Sequence, residues 1–584
     1  MIVLLEPVVL ARQLFSNSLF QKGRDVKRRE DSGMLKRNRQ IESYDATPRE
    51  GRQAMGVNFG LAALIAIIEK LSQLGIDVIE CGWPGAHQTW DQLFQAIGRG
   101  EVKLSGNTKL AAFSRTRLAG VSIENDKLFQ KLLSAPVQIL TIFGKCWSQH
   151  VVHALKTNDA ENLKMVEESI AAACATGKRV VFDAEHFFQG YKQDGSEYVF
   201  AILRAAIAGG ADTLVLCDTN GIAYPWEVDS IVAHVVMEFG DQATIGVHMH
   251  GDRGLALANT LSALRSGARH FQGTANGYSE RVKMACDLEV MANLKLLEDE
   301  GQTWSTLNPA FNSSILKQVS REIDRWAGLH PYARKPFVGR ACSTHKAGVH
   351  VSGGERAGYN LYESHNPTQF GRHRHIVLSG MAGQTGVKAF VKAAWGINLE
   401  DCSTIETILA EVEAQEAKGF SFDSCSGSAA LLIAKLLWPE QVSRFQPQNY
   451  HFSTPPSALP GEIMAHVGLG DGEYSSACGD GPVDALCKAA LKAVVEQHSC
   501  LRDLTLDEYA PYQLQISGKE GTASAMRVEI DWQSEKLGSF TTQGVSTNII
   551  DASWGAIIEA ISLALIKQWR NETVPQGGEI GEVY

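Results

Sequence analysis

The segment GVHMHGDRG, residues 246–254, sets His248 and His250 two residues apart at the end of an apolar run. Residues i and i+2 of a β-strand project to the same side. If residues 244–250 form a strand, its end presents two imidazoles together. Two imidazoles and a carboxylate, with positions left open for a substrate, are a common arrangement for a divalent metal. The plainer reading is one histidine hydrogen-bonded in a core and the other packed outside it. What decides between them is what the rest of the chain brings to the same place.

The chain that must position this pair has 584 residues, enough for several domains. From residue 41 it alternates short β-like runs with longer helical patterns. The β-like runs are IESYD (41–45), DVIECG (77–82), KLAAFS (109–114), VQILTIFG (137–144), RVVFDAE (179–185), TLVLCD (213–218), TIGVHMH (244–250) and RHFQGT (269–274). Between them lie segments such as LAALIAIIEKLSQLG (61–75) and NLKMVEESIAAACATG (162–177). Strand alternating with helix implies a parallel sheet with right-handed crossovers. Eight such units in about 250 residues match a (β/α)8 TIM barrel; the rival is an open doubly wound sheet.

The barrel is favoured by the count and by where polar residues fall. Arg49 and Glu50 follow the first run, Glu80 ends the second, and Lys145 follows the fourth. Glu185 ends the fifth, Asp218 the sixth, His248 and His250 the seventh, and Asn276 follows the eighth. In a barrel these ends meet at one face, where barrel active sites lie. A core strand has no packing reason to end in a charge, although Asp218 also suits a helix N-cap.

Composition narrows the function classes. Hydrophobic residues make up 44% and charged residues 21%, as in an ordinary soluble globular protein. A net charge of −10 without a basic face argues against a nucleic-acid partner. The 11 cysteines are scattered with no CxxC pair, which predicts reduced thiols in a cytoplasmic protein. No apolar run approaches the ~20 residues that cross a bilayer, so no membrane partner is expected. The start, MIVLLEPVVLARQLF, contains Glu6 and lacks a basic leading region, which argues against a signal peptide. Residues 21–40 are densely charged, so residues 1–40 are expected to be a disordered basic extension, with Met34 as an alternative start.

Longer segments resemble a known family. HMHGDRGLALANTLSALRSGARHFQGTANGYSER (248–281) resembles the HxHND…QGT-NGYGER region of the 2-isopropylmalate, homocitrate and citramalate synthases, and YDATPREGRQAMGVNF (44–59) resembles their opening DTTLRDG-Q motif. GWPG (82–85), TIFGK (141–145), DAEHFFQGYK (183–192) and LVLCDTNG (214–221) are most similar to the citramalate synthases. THKAGVHVSG (344–353) and NLYESHNPTQFGRHRHIVLSGMAGQTGV (360–387) resemble elements that follow the family's barrel. GDGPVDAL (479–486), GKEGTASAMRVEI (518–530) and GVSTNIIDASWGAI (544–557) resemble its C-terminal domain. The implied organisation is an α/β barrel over 41–300, a helical linker subdomain over 301–445, an α+β dimerisation and regulatory domain over 446–572, and a tail over 573–584.

The resemblance implies a Claisen-type condensation of acetyl-CoA with pyruvate or another 2-oxo acid, followed by thioester hydrolysis. It implies Glu50, His248 and His250 as ligands of Mg²⁺, Mn²⁺ or Zn²⁺, and Arg49 beside the ketone oxygen. Thr219 would bind the substrate carboxylate. Glu185, His345 and Tyr362 match the family's acid/base group, with His345 delivered across a homodimer. Read alone, His345 is a surface histidine, Tyr362 a buried aromatic, and Glu185 a structural partner of His186 or Lys192. Asp218 is either a cap or a group that orients a metal ligand. The C-terminal domain implies an amino-acid effector, isoleucine being usual for citramalate synthases.

Several positions depart from the family pattern. Glu50 replaces an Asp, Pro48 an apolar residue, Gly251 an Asn, Lys283 a Gly, Met284 an Asn expected to face the metal, and Ser343 an aromatic. A thioether is a poor ligand for a hard cation. Pro48, Gly251, Lys283 and Met284 lie at the expected barrel mouth, which fits an altered substrate better than general decay. A different 2-oxo acid, a non-catalytic amino-acid sensor, and a carbon–carbon lyase are the alternatives; the C-terminal domain argues against the lyase.

Overall fold

The computed structural model describes residues 40–573, apart from 305, 443–448, 455–461, 469–473, 497 and 515–520. The expected N-terminal extension, except residue 40, and the tail beyond residue 573 lie outside the described residues. The chain divides into two compact units between Pro331 and Tyr332.

In the first unit, eight strands close into one parallel barrel in chain order. They are β1 (Glu42–Asp45), β2 (Val78–Glu80), β3 (Lys109–Arg115), β4 (Ile139–Lys145), β5 (Arg179–Glu185), β6 (Thr213–Asp218), β7 (Thr244–Met249) and β8 (His270–Gly273). Every β-like run in the sequence is a strand. The β1–β8 ladder, with Glu42 opposite His270 and Asp45 opposite Gly273, excludes the open sheet.

Alternation along the strands divides the side chains between two cores. Tyr44, Val78, Ala111, Ile139, Val181, Val215 and Cys217 form a layer inside the barrel. Outward-facing residues meet apolar helix stripes such as Leu64, Ile67, Ile68, Leu71 and Leu74 of helix Leu61–Leu74, the i, i+3, i+4 pattern of an amphipathic helix. That helix ends at Gly75 with φ 93°. A Cβ there would stand 2.4 Å from the Ala310 carbonyl oxygen, so both the left-handed backbone and the close approach demand glycine.

The strand N-termini are tied by a polar plug. Arg179 donates to both oxygens of Glu42, at 2.5 and 2.7 Å, and to Thr213 Oγ1 at 2.8 Å. His270 Nδ1 lies 2.8 Å from the same carboxylate. This network joins β1, β5, β6 and β8 across the base of the barrel. Burial would raise the Glu42 carboxyl, but Arg179 and His270 outweigh it and hold the group well below its ordinary range.

The second unit contains two successive βββα arrangements. The antiparallel sheet β11 (Asn449–Ser453), β12 (Ile463–Gly468) and β13 (Tyr474–Gly479) precedes helix Pro482–Val495. A second antiparallel sheet, β14 (Thr505–Leu514), β15 (Ala525–Ser534) and β16 (Gly538–Ser546), precedes helix Ile549–Thr573. Upstream lie the two-residue strands β9 (Thr344–His345) and β10 (His375–Ile376), and helices that include Gln384–Trp395, Cys402–Glu416 and Ser426–Leu437. These helices share one apolar core with the sheets, through residues such as Phe390, Ile408, Leu431, Val467, Trp532 and Ile561.

One helix of the second unit departs from the expectation that no apolar run approaches membrane-spanning length. Helix Ile549–Thr573 is long and apolar enough to cross a membrane by length and hydropathy. The sequence hides this because Asp551, Glu559, Lys567 and Arg570 interrupt it. Its apolar character has a structural reason: Ala552, Ala556, Ala560, Leu563 and Ala564 are buried in the core of this unit. All eleven cysteines are free thiols, as expected.

Glu42→Gln should lower the stability of the barrel at neutral pH by about 2–4 kcal/mol, because it leaves the Arg179 charge without its counter-ion. The folded carboxyl is depressed from an ordinary value of 4.5, so its contribution is present above that pH and is lost as the pH falls. Urea unfolding should therefore show the variant and the parent converging in acid; a pH-independent difference would refute this assignment.

Candidate functional site

The turn after β1 is built to bury two charged side chains. The Asp45 carboxylate accepts from Thr47 N at 2.7 Å, Thr47 Oγ1 at 2.9 Å and Ala275 N at 3.2 Å, which clamps the turn to the chain leaving β8. Arg49 N and Glu50 N both donate back to Ala46 O, at 3.0 and 2.7 Å. A short 3₁₀ turn then opens at Glu50. Arg49 and Glu50 end up 5% and 4% exposed at the barrel mouth.

Arg49 is held on three sides. Its Nε donates to Glu80 Oε1 at 2.5 Å, its Nη1 donates to Glu50 Oε2, and its guanidinium carbon lies 3.9 Å from the Phe113 ring centre. Tyr44 fixes the other Glu80 oxygen from within the barrel, donating at 2.6 Å. Burial disfavours the Arg49 charge, but Glu80 and Glu50 outweigh it. The remaining nitrogen, Nη2, is buried without a hydrogen-bond partner among the described residues. It is a charged donor with capacity to spare.

Glu50 is ionised for the converse reason. Burial pushes it up, yet Arg49, His248, His250 and the Ser279 hydroxyl together bring it down to about 2. Ser279 Oγ donates to Glu50 Oε1 at 2.7 Å and lies 3.4 Å from His250 Nδ1, so it links the acid to the histidine pair.

The two histidines converge as the strand periodicity requires. β7 ends at Met249, and His250 is held just beyond by a bridge to Met284. His248 Nε2 and His250 Nε2 are 3.3 Å apart. That spacing suits two ligands of one ion at about 2.0–2.2 Å each. The His248 tautomer follows from its neighbours. Gln272 Nε2 donates to Asp183 Oδ1 at 2.8 Å, so Gln272 Oε1 faces His248 Nδ1, 2.7 Å away. The imidazole then carries its hydrogen on Nδ1 and presents the Nε2 lone pair. Burial lowers both imidazoles, and with His248 beside it His250 falls to about 3. Neutral imidazoles and an ionised carboxylate are the protonation states a divalent metal needs. The donor set fits the metal that the sequence pattern implies.

A second group of ligand-type atoms lies close by. One atom each from Asp183, Cys217 and His248 fall within 4.8 Å of one another. Gln272 already bonds both Asp183 and His248. Burial and the nearby Glu80 raise Asp183 to about 8, and burial pushes the Cys217 thiol well up. At neutral pH the Asp183 carboxyl and the Cys217 thiol hold their protons, unlike Glu50.

The remaining candidates are distributed as follows. Glu185, at the end of β5, pairs with Lys145 from the end of β4. Lys192, one of its expected partners, pairs instead with Glu227 at 2.8 Å. Thr219 Oγ1 accepts the backbone N–H of His186 at 2.9 Å. The Asp218 carboxylate accepts from Ile222 N and Ala223 N, both at 3.0 Å, and shapes the turn, while its backbone carbonyl accepts the His250 N–H at 3.3 Å. Asn276 departs from expectation: its amide donates to Ser320 O at 2.8 Å and Asp324 Oδ1 at 2.6 Å, toward helix Leu316–Ala327.

His345 and Tyr362 lie in the second unit. His345 Nε2 is 3.2 Å from Glu363 Oε1, and both Glu363 oxygens accept from Arg374 at 2.7 Å. The Tyr362 ring lies 4.6 Å from His350, whose ring is 5.9 Å from His345. Tyr362 is 39% exposed, which overturns its reading as a buried aromatic. Sequence reasoning missed Glu363, although it directly follows Tyr362 in NLYESHNP. It also missed Gln272 and Ser279, whose only signal was a polar residue inside each family-like motif.

Two of the departures from the family pattern form a matched pair. The Lys283 carbonyl accepts Gly251 N–H at 2.7 Å, and a Cβ on residue 251 would stand 2.8 Å from Lys283 Cγ. The lysine stem occupies space that a side chain at 251 would need. Met284 is fully buried where it bridges His250.

The depressed imidazole has a measurable consequence. His250 sits near 3 in the folded chain against an ordinary 6.5, so the unfolded chain takes up its proton first as the pH falls. Stability without metal should therefore drop as the pH falls through this interval. Urea unfolding of metal-stripped protein at about pH 7.5 and 5.5 should show the loss, and His250→Asn should diminish it. An unchanged slope in the variant would assign the proton uptake to other groups.

Comparison with known proteins agrees with the geometry. Residues 40–323 match the family model described as HMGL-like, and residues 431–565 match the LeuA allosteric (dimerisation) domain. The chain is 35% identical to the (R)-citramalate synthase of Synechocystis sp. over 536 residues, which covers 89% of this chain and 95% of that protein. It is 34% identical to the (R)-citramalate synthase of Aquifex aeolicus over 90% of this chain and 97% of that one. The 2-isopropylmalate synthase of Acidimicrobium ferrooxidans is 26% identical over 90% of this chain and 96% of that one. With a closed barrel, a histidine pair beside a buried Arg-Glu turn, and full-length likeness to these enzymes, the chain belongs to the citramalate synthase family.

Proposed function

We propose that this protein is a citramalate synthase: it condenses acetyl-CoA with pyruvate and hydrolyses the thioester, releasing citramalate and CoA. The observation that carries the proposal is the buried quartet of Arg49, Glu50, His248 and His250, an ionised acid and two neutral imidazoles beside a guanidinium with one unused donor. A divalent cation (Mg²⁺, Mn²⁺ or Zn²⁺) held by Glu50, His248 and His250 supplies Lewis acidity at the keto acid.

The chain's own residues perform the remaining steps. Thr219 binds the pyruvate carboxylate. Glu185 removes a methyl proton from acetyl-CoA, and the C–H electron pair becomes the enolate π bond. The enolate carbon attacks the ketone carbon, and the C=O pair moves to the oxygen, where Arg49 Nη2 donates to the developing alkoxide. His345, oriented by Glu363, then activates water against the thioester with Tyr362, delivered by the second unit of a homodimer partner. Trp83, Phe113 and Phe143 wall the Arg49 side, with ring centres 5.1–6.0 Å apart. Bulky rings there favour the small methyl of pyruvate over the branched chain of a larger 2-oxo acid.

The division into a catalytic barrel (41–300), a linker (301–445) and a C-terminal dimerisation and regulatory domain (446–572) belongs to this reading. So do an amino-acid effector, isoleucine, at that domain and a cytoplasmic location, which the free cysteines support. A non-catalytic sensor is disfavoured because nothing in sensing requires a charged, buried quartet at the barrel mouth.

Purified protein with a divalent metal should release thiol from acetyl-CoA when pyruvate is supplied; no release with any 2-oxo acid overturns the reading. His250→Ala should abolish turnover with the fold retained by circular dichroism. Arg49→Lys should slow turnover by roughly 10²–10³-fold, because lysine lacks the donors that engage Glu80, Glu50 and the substrate together.

A further inference from the structure

One buried polar group at the barrel mouth has no part in the mechanism above. His186 follows Glu185 directly and is 6% exposed. Its backbone is left-handed, with φ 61°, a conformation uncommon for a residue with a side chain. Such a conformation persists only where its surroundings enforce it. Here Thr219 Oγ1 accepts the His186 N–H and locks the turn. The ring packs against His150, 4.0 Å between centres, and against Trp147 at 5.9 Å.

The hydrogen bonding around this ring is incomplete. His186 Nδ1, His150 Nδ1 and Trp147 Nε1 are all buried without a hydrogen-bond partner among the described residues. The other nitrogen, Nε2, lies 3.9 Å from Glu185 Oε1. At that distance it is too far from Glu185 for a hydrogen bond. The ring stays neutral because burial opposes its charge and His150, Lys145, Arg281 and His250 add positive or like groups around it, bringing it to about 3. A neutral imidazole that donates rather than titrates is an established way to polarise a carbonyl.

In an acetyl thioester the acidic methyl and the carbonyl oxygen hang on the same carbon. A base for the methyl and a donor for the oxygen must therefore stand a few ångströms apart, as Glu185 Oε1 and His186 Nε2 do. We infer that His186 is a further catalytic residue, donating from Nε2–H to the thioester oxygen while Glu185 removes the methyl proton. The proton passes to the Glu185 carboxylate, the C–H pair forms the enolate C=C bond, and the carbonyl π pair moves onto the oxygen held by His186. The inference rests on the citramalate synthase reading and extends it to the first chemical step.

Three variants separate a donor from a conformational role. His186→Gln places an amide donor at the reach of Nε2 but is less suited to the left-handed backbone. His186→Asn suits that backbone, but its amide stops short. His186→Leu removes the donor. If His186 donates to the thioester, Leu and Asn should each lower kcat by roughly 10²-fold and Gln should recover much of it. The isotope effect with methyl-deuterated acetyl-CoA should rise in the impaired variants, and KM for pyruvate should hold. Asn matching the parent while Gln fails would overturn the inference in favour of a backbone role, and so would Leu within threefold of the parent. A parent enzyme that releases no thiol would overturn the functional reading and this inference together; a normal parent with a fully active Leu variant would overturn this inference alone.

Discussion

Closure of the barrel is the constraint on which everything else depends. β1 pairs with β8 over Glu42–Asp45 and His270–Gly273, which carries the start of the sheet round to its end. Without that ladder, Arg49 and Glu50 would have no reason to lie beside histidines about two hundred positions later. The join is reinforced at both rims: below by Glu42 with Arg179 and His270, above by Asp45 with Thr47 and Ala275. The lower plug lies at the opposite rim from the histidine pair and ties the strands together; the upper clamp sets the Arg-Glu turn.

Within that frame, charge balance assigns the roles. A buried guanidinium is costly alone, and Glu80 and Glu50 make it tolerable. The same guanidinium keeps Glu50 ionised, and burial keeps the histidines neutral. A run of hydrogen bonds from Asp183 through Gln272 then decides which nitrogen of His248 faces the mouth. Acids standing close together titrate apart: Glu50 is pulled down by the Arg49 guanidinium, while Asp183, facing Glu80 in the barrel interior, is pushed up. Position, more than residue type, leaves one ionised and the other protonated.

The second unit applies similar logic to His345. Its side chain is held by Glu363, which Arg374 holds in turn. The flanking chain is tied at two more points: Arg340 donates to the buried Glu529 of β15 at 3.1 Å, and Lys346 pairs with Asp423 at 2.8 Å. The segment carrying the histidine is thus anchored through Glu529 to a sheet of the region that matches the allosteric model, and through Asp423 to a loop that precedes that region.

The sequence by itself determined the architecture of the barrel and the identity of its central residues. Strand and helix periodicities are local properties of the chain, so eight runs could be read as eight strands, and the i, i+2 spacing was enough to aim His248 and His250 together. The strand-end charges Arg49, Glu50 and Glu80 were legible because a charge ending an apolar run has no packing explanation. Tertiary structure alone decided the partners. That Asn276 turns toward a helix, that Asp218 shapes a turn, that Lys145 takes Glu185, and that Gly251 makes room for Lys283 all depend on which side chains meet across the barrel. The same holds for Gln272, Ser279 and Glu363, whose roles are to hold other side chains, and for the strained backbone of His186. Such contacts join residues far apart in the chain, and their hydrogen bonds exist only once the barrel has closed.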